Sequence, residues 1–237
     1  MTVKIVTDST ADLPPQVIEE LGITVVPLYV RFGTNVYHDG VDINHDEFYK
    51  KLRTNASHPS TSQPTPEDFV TVYKKLSEET DDIISIHLTG KLSGTYNSAL
   101  QGKQLAATGC RIEVVDSLSV SMGLGLIAIT AARLAAAGES VQNVLAEIKQ
   151  AIPQVRLLAL FDSLRYLYRG GRIGKAKALL GSVLNVKPLI TMRDGELLPV
   201  SQARTQTKGI ERLFDFAENA FNIREMAIVH STTPEKA

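Results

Sequence analysis

Cysteine is all but missing from this 237-residue chain. The single thiol, Cys110, stands directly before a strand-like run, so no intrachain disulfide framework and no cysteine-rich zinc site can form. Its expected place is in or beside the core, as a small filler. Charge of one sign is also lacking. A net charge of −1 gives no global attraction to nucleic acid or to an anionic membrane. The five histidines, at 38, 45, 58, 87 and 230, show no HExxH or other zinc spacing, so no metal site is expected. His87 falls within a strand and reads as a packed or hydrogen-bonded core residue, whereas His230 ends a strand-like run and is a candidate for the site described next. No GK[ST] follows the glycines, which argues against a P-loop, and Ser93 lacks the G-x-S-x-G frame of a hydrolase elbow. The longest apolar stretch, Leu118 to Ala137, is interrupted by Ser119, Ser121, Thr130 and Arg133. It reads as a buried helix rather than a membrane span. The amino terminus MTVKIVTDST has no signal-peptide pattern, and a cytoplasmic location is the default.

What is present is an ordinary globular composition, 43% hydrophobic and 22% charged, with two hydroxyl-rich turns. The first is TSQP, residues 61 to 64, and the second is TGKLSGT, residues 89 to 95. Each leads into a helix. The second is the more informative, because Ile83 to Leu88 is a strand-type run and Gly94 to Ala107 a helix. A turn from the carboxyl end of a strand to a helix amino terminus is the usual ligand crevice of an open α/β sheet. Unpaired helical N–H groups there favour an anion. Thr61, Ser62, Ser93, Gly94 and Thr95 are thus candidates for an anion cradle. The plainer alternative is that Ser93 or Thr95 merely caps the helix. Asp8 and Asp116, which follow strands, read as capping carboxylates.

Along the chain, Val3 to Thr7 is a strand, and Pro14 with Pro15 opens a helix. Ile23 to Phe32 and Val36 to Tyr37 form a hairpin about Gly33, Thr34 and Asn35. Asn44 with Glu47, and Thr65 with Pro66, start two further helices. Ile112 to Val115 is a strand, followed by helices over the Ala-rich stretch and over Val141 to Ile152. Alternating strands and helices predict a parallel α/β/α domain over residues 1 to 155. From 156 onward, strands at 157 to 161, 187 to 192 and 196 to 201 about an Asp194 and Gly195 turn predict an α+β domain with a mixed sheet. Met226 to His230 reads as a last strand. Thr233, Pro234 and Glu235 then read as a helix start with nothing behind it, so this domain is expected to be incomplete at its carboxyl end.

Four features stand in order: DST at 8 to 10, TSQP at 61 to 64, SGT at 93 to 95, and DSLRYLYRGGRIGKAKALLGSVLNVKPLI from 162 to 190. Together they resemble the DegV family, whose better understood members are the fatty-acid-binding subunits, FakB, of a bacterial fatty acid kinase. The resemblance runs from residue 3 to the last. It implies two domains with a long-chain acyl group between them, its carboxylate held by hydroxyls at positions matching Thr61 and Ser93. It also implies that the protein is not itself catalytic. A separate kinase subunit, which carries the need for ATP and Mg²⁺, phosphorylates the bound fatty acid to an acyl phosphate for phospholipid synthesis, and transient membrane contact fits that role. Arg169, Arg172 and Lys175, with Arg204, are kinase-interface candidates. Two departures are evident. The chain stops before a glycine-rich segment bearing a histidine near the head group, and Gln206 stands where many members carry a second basic residue. A competing class is a serine-dependent acyl hydrolase or transferase using Ser93 as nucleophile.

Overall fold

A computed structural model describes residues 2–55, 57–179 and 186–231. The chain divides into two compact units. One comprises the chain to Gln154 together with the chain from Ala227, and the other is Val155–Met226.

The first unit is built on a four-stranded, wholly parallel sheet. Its strands are β1 (Lys4–Asp8), β2 (Thr24–Val26), β6 (Asp82–His87) and β7 (Arg111–Asp116), in the order β2-β1-β6-β7. The two central strands are buried on both faces: Ile5 to Asp8 and Ile83 to His87 are without exception buried. That is why they read as near-continuous apolar runs rather than alternating ones. Helices α1 (Pro15–Leu21), α2 (His45–Thr54), α3 (Pro66–Ser77), α4 (Thr95–Ala106), α5 (Met122–Ala136) and α6 (Val141–Ala151) belong to the same unit.

Helix α3 begins with a capping box between Thr65 and Asp68. Phe69, Val70, Tyr73 and Leu76, at the spacing of one helical face, enter a core with Val6, Val26, Ile83, Ala99 and Ile112. Cys110 packs against that same cluster. Helices α3 and α4 approach so closely that a Cβ on Gly102 would lie 2.4 Å from Phe69 Cβ and 3.0 Å from the Pro66 carbonyl. The Ala-rich stretch is the 15-residue α5, with nine buried residues, and no described helix is long and apolar enough to cross a membrane.

The predicted strand from Ile23 to Phe32 is two strands in two sheets. Pro27 has no N–H for a ladder, and the Leu28 N–H instead donates to Ser9 Oγ at 3.1 Å. The chain then starts a small antiparallel sheet, β4-β3-β5, from β3 (Tyr29–Phe32), β4 (Asn35–His38) and β5 (Ser60–Ser62). Gly33, with φ of 61°, makes the tight turn between β3 and β4. Thr61 and Ser62 are therefore strand residues, paired with Val30 and Tyr29, and not the turn their composition predicts. The open edge of β3 recruits them.

The second unit holds an antiparallel sheet of β8 (Leu158–Leu160), β9 (Lys187–Arg193) and β10 (Glu196–Ala203), in the order β10-β9-β8. Asp194 and Gly195 both have positive φ, 50° and 75°, as a two-residue hairpin turn requires. Short α7 (Arg165–Arg169), a 3₁₀ turn over Gly174–Leu179, and α8 (Gln206–Glu218) accompany the sheet. Thr205 caps α8 by accepting from the Lys208 N–H.

The strand predicted at Met226 to His230 does not form. These residues lack regular structure, and among the described residues no strand pairs with them, so an apolar run alone does not suffice. The predicted helix start at 233 to 235, and residues 180 to 185 of the long motif, lie outside the described residues.

Candidate functional site

The strand order reverses at β1, so the crevice of the sheet opens at the carboxyl ends of β1 and β6. Three loops meet there, and three aspartates, two at or just after the end of β1 and one at the end of β7, tie each loop to its neighbour. Asp8, ending β1, accepts from Thr10 N at 3.1 Å through Oδ1 and from the Leu88 N–H at 3.0 Å through Oδ2. Asp116, ending β7, accepts from Gly90 N at 3.0 Å and Leu118 N at 2.8 Å. Asp12 accepts from Ser121 Oγ at 2.6 Å, which closes the ring from the β7 loop back to the β1 loop. Asp12 and Ser121 both hold left-handed backbone, with φ of 52° and 55°. For Ser121, with ψ of −150°, that conformation costs about 1–3 kcal/mol. Burial pushes the Asp12 carboxyl above its ordinary range, and the Ser121 hydrogen bond opposes this incompletely.

Beneath the ring runs a chain of buried polar side chains. The Tyr73 hydroxyl donates to Ser85 Oγ at 2.8 Å, Ser85 Oγ lies 2.7 Å from His87 Nε2, and His87 Nδ1 lies 3.0 Å from Asp8 Oδ2. The Asp8 and His87 side chains are fully buried, and Phe69 stacks edge-on against the imidazole. A hydrogen on Nδ1 pointing at the carboxylate leaves Nε2 to accept from Ser85, and that tautomer satisfies each donor in the chain. Burial raises the Tyr73 phenol well above its usual range, offset in part by the Ser85 bond. Asp8 as a cap and His87 as a core residue each agree with the sequence. Their contact with one another, across 79 positions, is not visible in it.

The Ser93 turn leaves this ring and enters α4. Ser93 Oγ lies 2.9 Å from Thr95 Oγ1 and accepts from the Thr95 N–H at 3.3 Å. Neither hydroxyl occupies the cap position, which is Gly94 and offers no side-chain cap, so the Thr95 N–H taken by Ser93 is the one first-turn donor with a described side-chain acceptor. Beyond that N–H, the amino end of α4 keeps its partial positive charge and its next donors for an acceptor from outside the helix.

Gly94 has an unremarkable φ of −76°, so conformation is not what calls for glycine there. A Cβ at that position would lie 2.6 Å from Gln63 Nε2. Gln63, which the sequence reading passes over, thus lies on Gly94 and brings the end of the Thr61–Ser62 strand to the Ser93 turn. The signal was a glycine at a helix start beside a second polar motif. Thr61 itself is exposed on β5.

His230 is exposed in the irregular segment, and no described contact joins it to Ser93. The next residue, Ser231, lies beside the Tyr49 phenol of α2. Ser93 pairs with Thr95 and with no histidine among the described residues, as a nucleophile with a general base would require. No described group of three metal-binding side chains could hold an ion.

In the second unit, Arg169 ends α7 and Arg204 follows β10, both exposed. Arg172 donates to the Gly170 carbonyl, and Lys175 pairs with Glu196 at 2.5 Å. Arg204 also lines a groove of about 400 Å³ with Lys208, Glu211, Arg212 and Asp215.

Residues 2–237 match the family model described as "Uncharacterised protein, DegV family". A DegV domain-containing protein of Caldanaerobacter subterraneus subsp. tengcongensis is 40% identical over 236 residues, 98% of this chain and 84% of that protein. Among solved structures, a fatty-acid-binding DegV family protein from Thermus thermophilus superimposes with a TM-score of 0.85 at 39% identity, over 92% of this chain and 77% of the other. A stearic-acid-binding protein from Eubacterium ventriosum gives 0.86 at 32%, over 91% and 75%. The carboxyl-edge crevice, the hydroxyl turn at α4 and these matches lead to one conclusion: the chain belongs to the DegV family.

Proposed function

We propose that this protein binds a long-chain fatty acid, holds its carboxylate at the Ser93–Thr95 turn with Thr61 and Gln63, and presents it to a separate kinase subunit. The observation that carries the reading is the uncapped amino end of α4, flanked by the Ser93 and Thr95 hydroxyls and approached by Gln63. Fatty-acid binding by the Thermus thermophilus and Eubacterium ventriosum proteins supports it. Affinity then comes from the tail, at about 0.8 kcal/mol per buried CH₂, or roughly 10 kcal/mol for a dozen before ordering costs. Neutral hydroxyls orient the carboxylate without neutralising it, so it stays a better phosphoryl acceptor than one clamped by a bidentate arginine.

The protein performs no chemistry of its own in this reading, and ATP and Mg²⁺ belong to the kinase. Exposed Arg169 and Arg204, with Arg172 and Lys175, supply the cationic surface that meets that partner. A cytoplasmic protein with brief membrane contact suits such a carrier. The test is a reconstituted assay with a bacterial fatty acid kinase catalytic subunit, oleate, ATP and Mg²⁺. Acyl phosphate is expected only when this protein is added, and the Thr61→Ala, Ser93→Ala double variant is expected to lose it. Acyl hydrolysis by this protein alone, abolished by Ser93→Ala, would instead establish the serine-enzyme alternative.

A further inference from the structure

We propose that His87 and Asp8 are positioning residues for the head-group turn: the buried Tyr73–Ser85–His87–Asp8 chain fixes the carboxylate that holds the Leu88 N–H, and through it the 89–94 turn bearing Ser93. The inference rests on the fatty-acid reading of that turn.

The geometry is specific. Asp8 Oδ2 takes two donors, His87 Nδ1 and the Leu88 N–H, each at 3.0 Å, and Leu88 is the last residue before the turn. Oδ1 is occupied on the other side by the Thr10 backbone and hydroxyl. The carboxylate is thus gripped from both flanks and cannot rotate without breaking bonds to the β1 loop, to His87 or to Leu88. His87 is in turn held by Ser85 at Nε2, and Ser85 by Tyr73. From Leu88 the turn continues through Thr89, whose N–H donates to the Ser119 carbonyl at 2.9 Å, to Leu92 and Ser93, whose N–H groups donate to the Thr89 carbonyl at 3.0 and 3.3 Å. A packed core alone would accept an apolar residue at 87. A fully satisfied polar chain running from the middle of α3 to the lip of the crevice instead determines where that lip lies.

The test separates positioning from stability with three variants. His87→Leu cuts the chain. His87→Asn keeps an N–H within reach of Asp8. Ile84→Ala, on the other face of the same strand, lowers stability without touching the chain. Hydrogen exchange of the ligand-free proteins is read at the amides of residues 88–94, and affinity is read by titration with a fluorescent fatty acid. His87→Leu is expected to speed exchange selectively at 88–94 and to weaken binding about tenfold, the equivalent of one lost hydrogen bond. His87→Asn should recover both in large part, and Ile84→Ala should speed exchange across the sheet with affinity nearly unchanged. Equal and uniform exchange in His87→Leu and Ile84→Ala, or full affinity in His87→Leu, overturns the proposal. If the wild-type protein binds no fatty acid, the functional reading fails, while the exchange comparison still decides whether the pair holds the turn.

Discussion

The two units use polar side chains in opposite ways. In the first, Asp8, Ser85, His87, Thr89, Thr95, Ser117 and Ser119 are all buried along or just beyond the parallel strands. In the second, no described polar side chain is buried, and the charged ones pair at the surface, Lys187 with Asp162 and Lys208 with Glu211. A buried polar group must find a partner or cost about 1–3 kcal/mol, so the first unit's polar residues specify one arrangement of loops. Surface pairs are worth about 0–1 kcal/mol, so the second unit's charges leave its fold nearly indifferent to them. Precision therefore resides at the carboxyl edge of the parallel sheet, and freedom to evolve a partner surface in the second unit.

The contrast is open to attack at several points. The harshest is Asp8→Ala, which leaves the His87 Nδ1 hydrogen and the Leu88 N–H without their buried acceptor; at about 1–3 kcal/mol for each stranded donor, a loss of about 2–6 kcal/mol is expected in urea unfolding. A loss under 1 kcal/mol would mean that the polar chain is not structural. Next come two glycines. Alanine at Gly102 meets Phe69 Cβ and the Pro66 carbonyl, neither of which can step aside, and should cost about 1–3 kcal/mol. Alanine at Gly209 meets only the Leu160 side chain, Cδ1 at 2.5 Å, Cδ2 at 2.7 Å and Cγ at 3.2 Å, which can turn where backbone cannot, so it should cost less; thermal unfolding of the two variants side by side decides.

A subtler effect concerns pH. Because the folded-state pKa of Asp12 is raised, its contribution is fully present below the unfolded value and is lost as pH rises through the folded one. Relative to wild type, Asp12→Asn should therefore gain stability as pH rises from about 3.8 through the raised value. A flat difference across that range would contradict the assignment. The smallest effect belongs to the second unit: Lys175→Ala, removing a pair whose lysine is 67% exposed, should shift stability by less than about 0.5 kcal/mol. Its consequence is expected in the rate of kinase-dependent phosphorylation.

Much of the architecture was legible in the chain because its signals are local. Runs buried on both faces marked the central strands, and capping residues marked α2 and α3. What escaped depended on partners distant in sequence. Thr61 and Ser62 become a strand by pairing with the edge of β3, whereas the apolar run at 226 to 230 pairs with no strand among the described residues. Helix α8 went unread although Thr205 caps it and Ile210, Leu213 and Phe214 follow helical spacing. At the site, the Ser93 turn was visible as a strand-to-helix junction rich in hydroxyls. Gln63 and the Asp8–His87 pair were not, since a close approach to Gly94 and a contact across the sheet leave no local periodicity.

The most direct test of the central claim is native mass spectrometry of the purified protein beside the Thr61→Ala, Ser93→Ala double variant. The account predicts a near-stoichiometric long-chain fatty acid on the wild type and its depletion in the variant. A wild-type protein that stays empty when offered fatty acid, or a variant carrying the same load, would contradict it.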